Sequence, residues 1–152
     1  MQQSHTASHR KAASSIPCVC ATLRKATRTL TLLYDGYLRP AGLRVTQYSL
    51  LKNVLAREPV SVNQLARATV TDRTTLTRNL RVLQDRGLIQ IREGDDRRAR
   101  EVMVTPQGRQ ALAKADPRWE RAQAYVLGQL GEEHWKVLQE ELGAMIALGR
   151  GR

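Results

Sequence analysis

The sequence predicts a mainly α-helical fold carrying one small β-hairpin, and three observations predict it. Leu76, Leu80 and Leu83 recur at i, i+4 and i+7, so they share one face of a helix that must meet a core. Leu88-Ile89-Gln90-Ile91 and Val102-Met103-Val104 are short strand-like runs around the turn Gly94-Asp95-Asp96-Arg97-Arg98-Ala99-Arg100. Val19, Leu23, Ala26, Leu30, Leu33 and Tyr37 advance by alternate steps of 4 and 3 residues, a coiled-coil-like seam.

In chain order, Met1 to Pro17 is rich in Ser, Ala and His, contains Arg10 and Lys11 and has no acid. It reads as a disordered basic arm, since it lacks the apolar stretch of a secretory signal. Helix begins after Cys18 and is closed by Pro40 and Gly42. Thr46 is the expected cap of a second helix through Leu50, Leu51, Val54 and Leu55, with Pro59 marking its end. Ser61 and Gln64 form a capping-box pair ahead of Val62, Leu65 and Ala66. Thr69 to Thr71 break that pattern, and Thr71 or Asp72 caps the next helix, which Gly87 ends.

That next helix carries Arg73, Thr74, Thr77, Arg78 and Arg81 away from its leucines. Two helices joined by a short turn, the second presenting arginines and hydroxyls, describe a helix-turn-helix. The major groove admits one helix, guanine edges take bidentate donors and phosphates take cations. A hairpin next to such a unit is a wing. Its tip places Arg97, Arg98 and Arg100 where a narrow minor groove would receive them, with Asp95 and Asp96 holding the guanidiniums.

Beyond the wing, Thr105-Pro106 restarts helix in a favourable order. Leu112, Ala115, Trp119, Ala122 and Val126 form its apolar stripe, and Pro117 inside it is expected to kink or briefly break the helix. Gly131-Glu132-Glu133 opens a last helix with Trp135, Leu138, Leu142, Met145 and Ile146 on its apolar face. The end helices are too apolar for a small winged domain to cover, so a second copy is expected against them.

The totals agree with this plan. The 152 residues suffice for one domain with a real core, although Phe is absent. The net charge of +11 is concentrated early: residues 1–57 hold nine Lys/Arg against the single acid Asp35. Such a field favours a polyanion. An anionic membrane is the competing partner, but no stretch combines a basic polar face with bulky aromatics, and no apolar run reaches the ~18 residues of a membrane span. Two cysteines too close to staple a fold imply a reducing cytoplasm.

The run Leu83-x-x-x-Gly87-Leu88-Ile89, the turn Asp96-Arg97-Arg98 and Val104-Thr105-x-x-Gly108 resemble the MarR (multiple antibiotic resistance regulator) family of winged-helix transcription factors. Arg39-Pro40-x-Gly42-Leu43-x-x-Thr46-Gln47 is similar to the same family's link between its first two helices. The resemblance spans roughly Val19 to Leu148. It implies a winged helix-turn-helix with N- and C-terminal dimerisation helices: 18–39 and 106–148 for dimerisation, 46–105 as the DNA-binding head, together one domain over 18–152. It further implies a homodimer on near-palindromic double-stranded DNA, acting as a repressor. In that frame Arg73, Thr74, Thr77 and Arg78 read bases, and Arg81 lies nearer the backbone. Arg98, held by Asp96, enters the minor groove. Arg97 meets phosphate, as do Ser61, Asn63 and Gln64.

Two sites for a signal follow from the same resemblance. Tyr34, Tyr37, Tyr48 and Arg44 lie in segments that would line a pocket for a small phenolic effector, and core packing accounts for the tyrosines equally. In relatives sensing organic hydroperoxides a reactive Cys opens the first helix and a Tyr later in it donates to the thiolate; Cys20 and Tyr34 fall on those positions. Val45-Thr46 replaces that branch's Tyr-Pro pair, which weakens the match. Cys18 and Cys20 are otherwise plain helix-start residues, or thiols joining His5 or His9 on a metal, for which no compact four-ligand spacing exists. No phosphate-binding loop, nucleophile elbow or zinc-protease helix occurs, so no enzyme and no cofactor are expected; a thiol peroxidase on Cys20 is the catalytic alternative. A winged-helix protein-interaction module is the alternative without DNA.

Overall fold

Residues 17–94 and 100–149 are described by the computed structural model. In them the periodic segments fold as helices: α1 (Val19–Leu38), α2 (Val45–Leu55), α3 (Val62–Ala68), α4 (Arg73–Asp85), α5 (Pro106–Leu130) and α6 (Glu132–Leu148), with a 3₁₀ turn at Arg39–Ala41. The strands β2 (Ile89–Glu93) and β3 (Arg100–Val104) form the wing, Ile89 facing Val104 and Glu93 facing Arg100. The sheet has a third member. A two-residue strand, β1 (Val60–Ser61), pairs antiparallel with β3, giving the order β1-β3-β2.

The core lies under α4. Leu76, Leu80 and Leu83 are almost wholly buried, together with Leu38, Leu51, Val54, Leu65 and Val102. Burying a leucine contributes on the order of 2 kcal/mol, so this face alone fixes how α4 rolls about its axis. Gly87, at φ 69°, ends α4 as expected: its amide donates to the Gln84 carbonyl and the Leu88 amide to the Leu83 carbonyl, a Schellman closure.

The start of α5 clamps that end of α4. The Thr105 hydroxyl donates to the Gly87 carbonyl (2.6 Å) and accepts from the Gly108 amide (3.0 Å), while Gln107 Nε2 donates to the Arg86 carbonyl (3.2 Å). At Gly108 a Cβ would lie 2.1 Å from the Leu88 carbonyl oxygen, so only glycine lets α5 approach this closely. Glu58 ties down the other edge, accepting from the Val104 amide (2.7 Å) and pairing with Arg109.

Three expectations are corrected. Thr46 does not cap α2; Arg44 occupies that position, and Thr46 lies within the first turn. The free amides go elsewhere: Asp35 Oδ1 accepts from the Val45 amide at 2.7 Å and Gln47 Oε1 from the Arg44 amide at 3.1 Å. A carboxylate from α1 is the stronger acceptor. Helix α2 ends at Leu55, four residues before Pro59. Pro117 does not break α5, which runs helical for 25 residues. Ala115 and Ala122, both fully buried, anchor the helix on either side, and this packing outweighs the one backbone bond that proline removes.

Candidate nucleic-acid interface and neighbouring cavity

The helix-turn-helix is built from α3 and α4. Ser61 Oγ accepts from the Gln64 amide (3.2 Å) and Gln64 Oε1 accepts from the Ser61 amide (3.1 Å), closing the expected capping box. The Ser61 hydroxyl also donates to Gln64 Oε1 at 2.9 Å. Those atoms are therefore occupied with each other, while Asn63 beside them is exposed. Between the helices, Val70 turns the chain at φ 50°, a left-handed conformation that costs a β-branched residue about 1–2 kcal/mol, and its side chain is 64 % exposed.

Asp72 caps α4, its Oδ1 accepting from the Thr75 amide at 2.9 Å. Hydrogen bonds from the Thr75 side chain and then its backbone hold the Asp72 carboxyl below the ordinary carboxylate range. Arg73, Thr74, Thr77, Arg78 and Arg81 are all exposed, on the faces opposite the buried leucines. The Thr77 hydroxyl donates back to the Arg73 carbonyl (2.7 Å), so toward a ligand it offers an acceptor and a methyl group. Arg81 Nε lies 4.0 Å from Asp85 Oδ2, a solvated pair that restrains it weakly. Among the described residues no carboxylate comes within ion-pair distance of Arg73 or Arg78. The wing-tip residues Asp95, Asp96, Arg97 and Arg98 lie outside the described residues.

One arginine escaped the sequence reading. Arg86, which caps the C-terminal end of α4, donates to the Gly42 carbonyl (2.7 Å) and to Gln47 Oε1 (3.1 Å). It joins the end of the reading helix to the start of α2. Nothing in the local sequence marks it, because both partners are about forty residues away.

A cavity of about 550 Å³ opens between α1, α2 and α5, lined among others by Tyr34, Tyr48, Lys52, Asp116, Trp119 and Glu120. The Tyr48 hydroxyl donates to Asp116 Oδ1 (2.8 Å), Lys52 Nζ reaches the same oxygen (3.3 Å), and the Tyr48 ring stacks on Trp119 with centroids 5.9 Å apart. Burial first, then the Asp116 hydrogen bond and the charges of Asp116 and Glu120, push the Tyr48 phenol above its ordinary range. Of the residues expected to line a pocket, Tyr48 does and Tyr34 joins it. Tyr37 instead faces Tyr125 at 6.5 Å, and Arg44 lies in a separate groove with Asn79 and Val82, because the extended backbone before α2 carries it away from α1.

Cys18 and Cys20 are exposed at the start of α1, and Cys20 shares a shallow apolar groove with Arg24, Met145 and Leu148. Fourteen residues of helix put Cys20 and Tyr34 roughly 21 Å apart. Within one chain thiol and phenol do not meet. The Tyr34 hydroxyl donates to Gln123 Oε1 at 2.5 Å, and burial raises its pKa.

A profile of the MarR family matches residues 41–99. The Mycobacterium tuberculosis transcriptional regulator MosR, crystallised in complex with DNA, is 36 % identical, with 88 % of this chain and 97 % of that one covered and a TM-score of 0.80. The chain belongs to the MarR family. A second crystal structure of MosR aligns with this MarR-family chain at 33 % identity over 91 % of it and 100 % of MosR, TM-score 0.78. A probable transcriptional regulator from Pseudomonas aeruginosa aligns at 27 % identity over 85 % and 97 % of the two chains, TM-score 0.77. No curated protein sequence matches. The MarR fold, mainly α with a small β wing, is thus the one expected from the sequence.

Proposed function

We propose that the protein is a homodimeric repressor that reads a near-palindromic duplex with α4 and leaves it when a signal arrives. Membership of the MarR family makes it a DNA-binding transcriptional regulator. The observation that carries the base-reading assignment is the exposed front of α4, where Arg73 and Arg78 stand without an acidic partner among the described residues. Thr74 and Thr77 flank them, and Arg81, Asn63 and Gln64 serve the backbone. Arg98, steadied by Asp96, is the minor-groove residue of this reading, and Arg97 a phosphate contact. The head spans 46–105, and 18–39 with 106–148 form the dimer.

Charge supports the dimer. The first half of α1 carries Arg24, Lys25 and Arg28 and no acid, whereas α6 carries Glu132, Glu133, Glu140 and Glu141 against Lys136. Both helices expose apolar side chains, from Val19 and Leu30 to Ile146 and Leu148. A two-fold partner would cover them and set two copies of α4 about 34 Å apart.

The signal in this reading is a small aromatic molecule in the Tyr34–Tyr48–Trp119 cavity. A peroxide acting at the exposed Cys20 is the second route. Such a protein is not an enzyme, needs no cofactor or metal, and works in the cytoplasm. Among the described residues no helix is long and apolar enough to cross a membrane. Reversible loss of DNA on peroxide treatment that persists in Cys20→Ser excludes the thiol route.

The deciding test is selection of bound sequences from random duplexes, followed by Arg78→Ala. The substitution should cost about 1–3 kcal/mol on the selected operator and less on random DNA. Equal weakening on both would remove Arg78 from base readout. A protein-interaction module would bind no duplex in a salt-dependent way at all.

A further inference from the structure

The wall of the α1–α2–α5 cavity has a definite charge balance. Lys52 and Asp116 face each other at 3.3 Å and neutralise one another. Glu120, one turn from Asp116 on α5, lines the same space, and among the described residues no cation pairs with it. The remaining lining is neutral: Thr27, Leu30, Thr31, Tyr34, Tyr48 and Trp119 among it. Among the described residues no arginine lines it, in a chain that has many. An aromatic carboxylate entering here would meet a surplus carboxylate and only an ammonium already bound to Asp116.

We infer that this cavity selects planar aromatic ligands bearing a cationic amine and rejects the corresponding carboxylates. Glu120 supplies the uncompensated negative charge, and Trp119, backed by the Tyr48 ring stacked on it, supplies a flat apolar wall with the quadrupole that attracts a cation. Lys52 Nζ rests 5.8 Å from the Tyr48 ring centroid, so the Tyr48 ring is already engaged by the chain's own ammonium and Trp119 is the ring left for a ligand. The direction is opposite to what the whole molecule imposes, since a protein of net charge +11 repels cations at long range. A preference for the amine is therefore a local property of this wall. The inference rests on the reading of the cavity as the effector site.

The test is calorimetric titration of the full-length protein with three probes sharing one ring: 2-naphthylmethylamine, 2-naphthylmethanol and 2-naphthoate. The amine should bind about tenfold or more tightly than the carboxylate, with the alcohol between them. Glu120→Gln, an exposed and nearly isosteric change, should shrink the amine's advantage over the alcohol several-fold and leave the alcohol unchanged. Tyr34→Trp, which fills the cavity, should abolish all three. Naphthoate binding as tightly as the amine overturns the charge selection while leaving the effector site in place. No binding by any probe, or binding that survives Tyr34→Trp, overturns both.

Discussion

The reading head and the two end helices are built by opposite means. Around α4 the leucines are buried, the starts of α3, α4 and α5 each have a side-chain acceptor, and Glu58, Arg86 and Thr105 tie neighbouring elements together. In α6 no residue is buried, and Leu148 at its end is 78 % exposed. The difference teaches where one chain suffices. The head closes its own core, whereas among the described residues α6 and the first half of α1 leave apolar surface open, the kind of surface that marks an interaction site.

That contrast can be broken or sharpened by substitution. Leu80→Ala, in the head, should lower stability by about 2–5 kcal/mol, read by denaturant unfolding. Ile146→Glu, in α6, should instead leave the head's thermal transition in place and convert dimer to monomer in sedimentation, with operator affinity falling with it. If Ile146→Glu sediments as the parent does, α6 is not the partner surface. Gly108→Ala should cost about 3 kcal/mol, because the clash at Leu88 is with backbone that no rotamer can relieve. A cost below about 1 kcal/mol would mean α5 slides freely on the wing.

Smaller effects test the turn and the cap. Val70→Asn should stabilise the protein by about 1 kcal/mol, since Asn tolerates the left-handed backbone that Val resists. The Asp72 carboxyl has a folded pKa below its unfolded one, so the cap's contribution is complete above the unfolded value of 3.8 and disappears as pH falls through the lowered folded value. Asp72→Asn keeps a capping oxygen without a charge and should flatten that part of the acid-unfolding profile.

Local signals were legible wherever a residue's partner lies within one or two turns. The Ser61–Gln64 box, the Asp72 cap, the Gly87 closure and the leucine face of α4 could all be read from spacing, and with them the outward arginines. The features that escaped have distant partners. Strand β1 is two residues long and exists because β3 offers it a free edge. Asp35 displaced Thr46 as the acceptor at α2, ten residues away in sequence. The cavity could be placed only partly, since Tyr48 meets Asp116 across 68 residues.

The amino-acid order by itself determined the helices, the caps of α3 and α4, the Gly87 closure, the wing's two main strands and the basic face of α4, because periodicity, capping and glycine conformation act over a few residues. Only the tertiary structure decided that α5 runs through Pro117, that Arg86 joins α4 to α2, and that Tyr34, Glu120 and Trp119 share one space while Tyr37 and Arg44 lie apart. Those outcomes depend on how elements pack against each other. Packing is settled by the sum of many burials and long-range hydrogen bonds, which no local pattern records.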